Sequence, residues 1–190
     1  DVEEALAALK QGRKVLFSPK MSYLKGLEGK FLPVFWSPVH FPRQAGTMGL
    51  LCNTQHAALR HFPTEMHSNW QWWSIVRHAR PFILNATRHE YKPLIQVVDN
   101  VERNHKLGLL FEFAVDNGKV LVCMSNLEAI RHTPEGGQLR NAILSYMKSA
   151  EFSPTETLTS QQLQHILTTE VRKQDIVGVK NQSDYDVQPE

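Results

Sequence analysis

A chain of 190 residues with 42% hydrophobic and 21% charged side chains can bury the core of one domain with a short appendage. Its 21 basic and 19 acidic residues leave a net charge of +2, scattered without a basic stripe, which argues against nucleic acid as a partner. No apolar run approaches the roughly 20 residues that cross a bilayer, and no signal-peptide pattern is read.

Taken in chain order, Val2, Ala5, Leu6 and Leu9 follow the i, i+3, i+4, i+7 template. A helix therefore begins almost at residue 1, without a leader or cap. This start implies a piece of a longer polypeptide. Gly12 closes the helix, and Val15-Leu16-Phe17 reads as a buried strand. Residues 19–48 hold Pro19, Pro33, Pro38 and Pro42 with Gly26, Gly29 and Gly46, so this stretch is expected to be loop around a short strand at Phe31–Trp36. Gly49–Cys52 reads as a further strand, and His56–His61 as a helical turn ended by Pro63.

The stretch Phe62–Trp73 places three of the chain's four tryptophans in four positions, beside Glu65, His67 and Asn69. Ser68 is read as the N-cap of a helix running to Ala79, stopped by Pro81. On that helix Trp72, Ile75, Val76 and Ala79 share the core face, whereas Trp70, Trp73 and Arg77 fall together on the other side. Large aromatics dominate cores and interfaces, so packing or docking is the commoner use of such rings. Stacking on a sugar is the sharper one.

Strands are expected at Phe82–Leu84 and Leu94–Val98. Leu107–Val115 and Lys119–Met124 flank Asp116-Asn117-Gly118, a hairpin signal because a type I′ turn needs positive φ at both central residues. Leu139, Ala142, Ile143, Tyr146 and Met147 mark a clean amphipathic helix. From Ser153 the character changes: Ser160 is expected to cap a helix carrying Leu163, Ile166, Leu167 and Val171, with a frayed polar tail beyond Lys173. Helices at both ends with strands between define an α/β layered sheet with an antiparallel portion. The domain is assigned to residues 1–152 and a C-terminal extension to 153–190.

Three further groups could carry chemistry. Asp99 and Asn100, with Asn104 and Lys106, sit at the end of an expected strand, where open α/β sheets bind ligands, although Asp and Asn are also ordinary turn formers. Alternation puts Glu112 on one face of its strand with Gly108, Leu110 and Ala114; if buried there it needs a partner and gains a raised pKa. Cys123 precedes His132 and Glu135, a set that would suit a thiol hydrolase, but it lacks the glycine-flanked turn that exposes such a nucleophile. The nine histidines form no zinc pattern, no cofactor motif is read, and a disulfide between Cys52 and Cys123 cannot be inferred.

Several blocks together resemble the C-terminal portion of large family-2, β-galactosidase-like glycoside hydrolases of polysaccharide-degrading bacteria. These are Phe35-Trp36-Ser37-Pro38, Gly46–Cys52, Phe62–Trp73, and Asp99-Asn100 through Asn104–Glu112, within a match spanning Val2 to Phe152. The resemblance implies a three-layer flavodoxin-like or glutamine-amidotransferase-like domain with helices on both faces, in a periplasmic or secreted enzyme. In that family the catalytic glutamates lie in a (β/α)8 barrel of about 250 residues, so none is carried onto Glu65 or Glu112. The amidotransferase-like fold likewise comes without its nucleophile elbow. The expected role is a non-catalytic accessory domain whose partners are the remaining domains of the enzyme, an oligosaccharide or a second copy of the chain. Trp70, Trp73, Glu65, His67, Asn69, Asp99 and Asn100 are its candidate surface. The alternatives are a free-standing carbohydrate-binding module and a small hydrolase using Glu112 or Cys123.

Overall fold

The computed structural model describes residues 1–20, 47–100 and 103–171, so the strand expected at Phe31–Trp36 and the tail beyond Lys173 lie outside the described residues. Helix α1 (Val2–Lys10) buries Ala5, Leu6 and Leu9 as the spacing predicts. It does have a cap: the Asp1 carboxylate accepts from the Glu4 N–H at 2.7 Å. The acidic residues Glu3 and Glu4 in its first turn and Lys10 in its last oppose the helix dipole. Gly12 then turns the chain at φ +77°, a conformation that glycine adopts without a Cβ clash.

Among the described residues seven strands form one mixed sheet: β1 (Lys14–Phe17), β2 (Gly49–Cys52), β3 (Phe82–Ile83), β4 (Ile95–Val98), β5 (Leu107–Val115), β6 (Gly118–Cys123) and β7 (Thr157–Leu158). The path runs β1-β6-β5-β4-β2, with β3 and β7 both paired to β5. Four of its six pairings are antiparallel; only β1–β6 and β5–β7 run parallel. The α/β class is as expected. The wiring is this chain's own.

Strand β5 organises the core. Eight of its nine residues are buried, because neighbours flank it and helical layers cover it. Phe111 and Phe113 are fully buried there and touch edge to face at 5.8 Å. Each contributes roughly 1.5–3 kcal/mol through burial.

The β5–β6 hairpin forms where the sequence places it, with a different turn. Val115 pairs with Gly118, leaving Asp116 and Asn117 at the centre. Only Asp116 has positive φ, at +50°, so the turn is not type I′. Gly118 is needed for space: a Cβ there would lie 2.7 Å from the carbonyl oxygens of Arg13 and Leu9.

One helical layer holds α1 and α5 (Ser160–Thr168), which contact each other and β1, β3, β6 and β7. The other holds α2 (Trp73–Arg77), α3 (Leu127–Ile130), α4 (Pro134–Lys148) and a 3-10 turn at Ala57–Leu59. Helix α4 starts with Thr133 accepting from the Gly136 N–H and with proline in its first turn. It buries Leu139, Ala142, Ile143, Tyr146 and Met147, the five residues its periodicity nominates. Residues 153–168, set apart by sequence as the start of an extension, give β7 and α5 to the same sheet and core. The cap of α5 is Thr159, in a reciprocal capping box with Gln162, rather than Ser160. Among the described residues no helix is long and apolar enough to cross a membrane.

Candidate functional site

The tryptophan-rich segment splits into an anchor and a display. Trp72 is the anchor: it is fully buried, meets Phe62 edge to face at 5.0 Å, and donates from Nε1 to Thr64 Oγ1 at 2.9 Å. The indole N–H thus has the partner that a buried tryptophan requires. The helix expected from Ser68 starts later and in two parts, a 3-10 turn at Trp70–Trp72 followed by α2. Its cap is Asn69, whose side chain accepts from the Gln71 N–H at 3.2 Å. Ser68 does another job, its Oγ accepting from the Leu50 N–H at 3.2 Å and closing the outer edge of β2. An isolated bridge between Leu51 and His67 closes it further.

Trp70 and Trp73 form the display. Three residues apart on adjoining helical turns, they stack nearly parallel, with centroids 5.8 Å apart and planes 4° from each other. The Arg77 guanidinium sits over Trp73 at 5.7 Å from its centroid. Trp73 thus meets both Arg77 and Trp70, and Trp70 is the more exposed of the two indoles. Trp70 is 82% exposed and Trp73 37%. Leu51, Met48 and Met66 are also exposed large apolar side chains in β2 and the two short segments beside it. Exposed rings on this scale mark contact surfaces more often than chance.

The polar residues beside the pile are partly engaged within the chain. Glu65 and His67 face each other at 3.8 Å, both well exposed, and Gln71 Nε2 donates to the Pro63 carbonyl at 3.0 Å. Asn69 is occupied as the cap.

Asp99 and Asn100 lie elsewhere and face inward. Asp99 Oδ1 accepts from Arg103 at 3.0 Å (Nε) and 2.5 Å (the terminal nitrogen), and both side chains are 1% exposed. Its other oxygen accepts from the His105 N–H at 3.1 Å, while Asn100 Oδ1 accepts from the Arg103 N–H at 3.1 Å. Asn104 takes φ +48°, which its short polar side chain tolerates. Lys106 Nζ donates to the carbonyls of Arg88 at 2.7 Å and His89 at 3.3 Å. This group folds a corner of the chain.

Glu112 is buried at 7% exposure on the underside of α4. The sequence leads one to look for Arg or Lys beside it; the structure supplies the Tyr146 hydroxyl, which donates to both carboxylate oxygens at 3.1 and 2.9 Å. His56 Nε2 lies 3.8 Å from Oε1. Burial pushes the Glu112 carboxyl up to about 7, opposed by the Tyr146 hydrogen bond and by the positive charge of Lys119. The sequence marks Tyr146 as a core residue of its helix but does not pair it with Glu112. Nothing in the sequence marks His56.

Cys123 is fully enclosed, and its thiol is pushed up to about 12 by burial; Cys52 is pushed up to about 11. Glu135 hydrogen bonds Ser74, and His132 Nε2 accepts from Arg131 at 3.2 Å, so neither is turned to Cys123 as a catalytic set requires. Among the described residues no group of three His, Cys, Asp or Glu side chains is placed to hold a metal ion. A groove of about 1010 Å³ runs between α1, β1 and α5, lined in part by Val2, Ala5, Leu16, Phe17, Phe82 and Leu167, and it includes none of the candidate residues.

The fold and its surface define a mixed α/β domain with an outward aromatic pile and inward-facing polar clusters. The chain belongs to the family described as "Domain of unknown function (DUF8487)", whose model matches residues 1–168. That span runs from α1 through α5, including the β7–α5 segment that completes the sheet and core. A search of curated proteins returns no match.

Proposed function

We propose that this chain is a non-catalytic accessory domain of a bacterial glycoside hydrolase, held against another part of the enzyme through the Trp70/Trp73 pile. The observation that carries the reading is the pair of exposed, mutually stacked indoles. Leaving so much aromatic surface in water is unfavourable unless something covers it, and rigid aromatic anchors with an arginine are the composition of interface hot spots. The packing reading is favoured over a sugar site because Asn69 and Gln71, beside the indoles, already spend hydrogen-bonding groups within the chain. The parent enzyme, on the resemblance, is periplasmic or secreted and acts on glycans.

The test uses the natural reading frame that contains this chain. Trp70→Ala with Trp73→Ala should weaken association with the other domains or subunits at least tenfold, read by size-exclusion and limited proteolysis, while the domain itself stays folded by circular dichroism. If assembly and turnover on polymeric substrate are both unchanged, the reading fails. A second arm titrates the isolated chain with oligosaccharides. Binding lost in Trp70→Ala with assembly intact would replace docking by a carbohydrate-binding role.

A further inference from the structure

Glu112 is at the meeting point of three elements. It projects from β5, the most buried strand; Tyr146 reaches it from α4; and His56 reaches it from the residue that caps the Ala57–Leu59 turn. The rings of His56 and Tyr146 pack edge to face at 5.3 Å, so the two side chains are held in one arrangement. Tyr91 adds a fixed point, its hydroxyl donating to the Glu112 carbonyl at 3.0 Å.

The tautomer of His56 follows from its other nitrogen. Nδ1 accepts the Ala58 N–H at 3.3 Å, capping the turn. An accepting Nδ1 carries no proton, so the neutral ring bears its proton on Nε2, the nitrogen that faces Glu112. A second proton on His56 would have to go on Nδ1 and would break the cap. The carboxylate therefore offers a site where this group can take up a proton without losing a hydrogen bond: a protonated Glu112 still accepts from Tyr146.

We propose that Glu112, Tyr146 and His56 form a proton-operated latch between β5, α4 and the 57–59 turn, in which Glu112 takes up and releases the proton and His56 stays neutral to cap the turn. The charged groups around it fit this assignment. Lys119 on β6 favours the ionised carboxylate but does not outweigh burial. On the His56 side, burial holds the ring below its ordinary value, opposed by Glu151. Arg60 forms a two-pronged pair with Glu151 at 2.6 and 2.5 Å. Lys14 stands further back, its Nζ donating to the Met147 carbonyl at 2.9 Å.

The signs of the two groups differ. Glu112, raised when folded, adds stability that is complete below its ordinary range and disappears as pH rises towards 7. His56, lowered when folded, adds stability that is complete above about 6.5 and is lost as pH falls below it. The two windows overlap below about 6.5, where the Glu112 contribution declines with rising pH while that of His56 recovers.

Infrared titration of the full chain tests this. A protonated-carboxyl band, absent in Glu112→Gln, should persist towards neutral pH, and Tyr146→Phe, which removes a donor to the ionised form, should move its midpoint upward. Amide exchange gives an independent reading. Protection of the Ala58 N–H should fall about fivefold as acid protonates His56, the loss of one cap. His56→Asn retains a capping oxygen but no titration, and should abolish that fall. A Glu112 midpoint in the ordinary glutamate range overturns the proposal, as does a midpoint unmoved in Tyr146→Phe. So does an Ala58 protection profile that is the same in His56→Asn as in the wild type.

Discussion

Two regions nominated by the same sequence logic, the Asp99–Asn100 corner and the Trp70/Trp73 helix, are opposites in the folded chain. At the corner every named polar atom of Asp99 is taken by Arg103, Asn100 or His105, and the ion pair is 1% exposed on both sides. On the helix two of the largest apolar side chains stand in solvent, stacked on each other and on Arg77. A polar residue at a strand end is consistent with ligand binding and with turn formation, and its hydrogen-bond accounting decides between them. An exposed tryptophan pair has no comparable internal use.

The comparison breaks most sharply at Asp99. Asp99→Ala leaves the Arg103 guanidinium buried without its carboxylate, an arrangement that costs about 3–5 kcal/mol. Chemical denaturation should show that loss, while docking through Trp70 in whatever fraction remains folded is unchanged. A loss below about 1 kcal/mol would mean that the corner opens to water and has room for a ligand.

Next in size is Glu112→Gln, which mimics the protonated side chain. The native carboxyl titrates near 7 against an ordinary value of 4.5, so the folded state is penalised as pH rises through that window. The variant should match the wild type below about pH 4 and exceed it above pH 8 by about 3 kcal/mol. Parallel stability curves would remove the buried carboxyl from the account. Gly118→Ala should follow, at about 1–3 kcal/mol, since the new methyl meets the carbonyls of Arg13 and Leu9 at 2.7 Å. Thermal melts measure it, with no change expected in docking.

Much of the fold was legible because periodicity reports burial. Leu139, Ala142, Ile143, Tyr146 and Met147 are the buried face of α4, and Leu107–Val115 is β5 to the residue. Capping was less legible because several short polar residues compete for each helix start. Ser68, Asn69 and Thr159, Ser160 are adjacent pairs, and in each the residue that caps is set by the tertiary partner available to the other: Ser68 Oγ meets Leu50, and Ser160 Oγ meets Asp116. The hairpin turn misled because Gly118 is kept for the close passage of α1 and not for its φ. At the candidate surface, helical spacing alone paired Trp70 with Trp73 and Arg77. His56 could not be found as a neighbour of Glu112, since 56 residues of chain separate them and no local pattern carries so distant a contact.

The smallest stability effect belongs to the region where the largest functional one is expected. Trp70→Ala removes a ring that is 82% exposed and touches Trp73 on one face. Little buried area is lost, and the stacking term is about 0.5–1.5 kcal/mol at most, so the melting temperature should fall by only a few degrees. Arg77→Ala should change it less still, because an exposed cation over a ring contributes about 0.5–1 kcal/mol. If either substitution unfolds the domain, the pile is a structural support and the contrast with the Asp99 corner disappears. If both leave the fold intact and neither alters assembly or glycan binding, the indoles are exposed without a partner. A contact surface requires the remaining outcome: stability nearly constant and association lost in the order Trp70, then Arg77, with the more exposed ring mattering most.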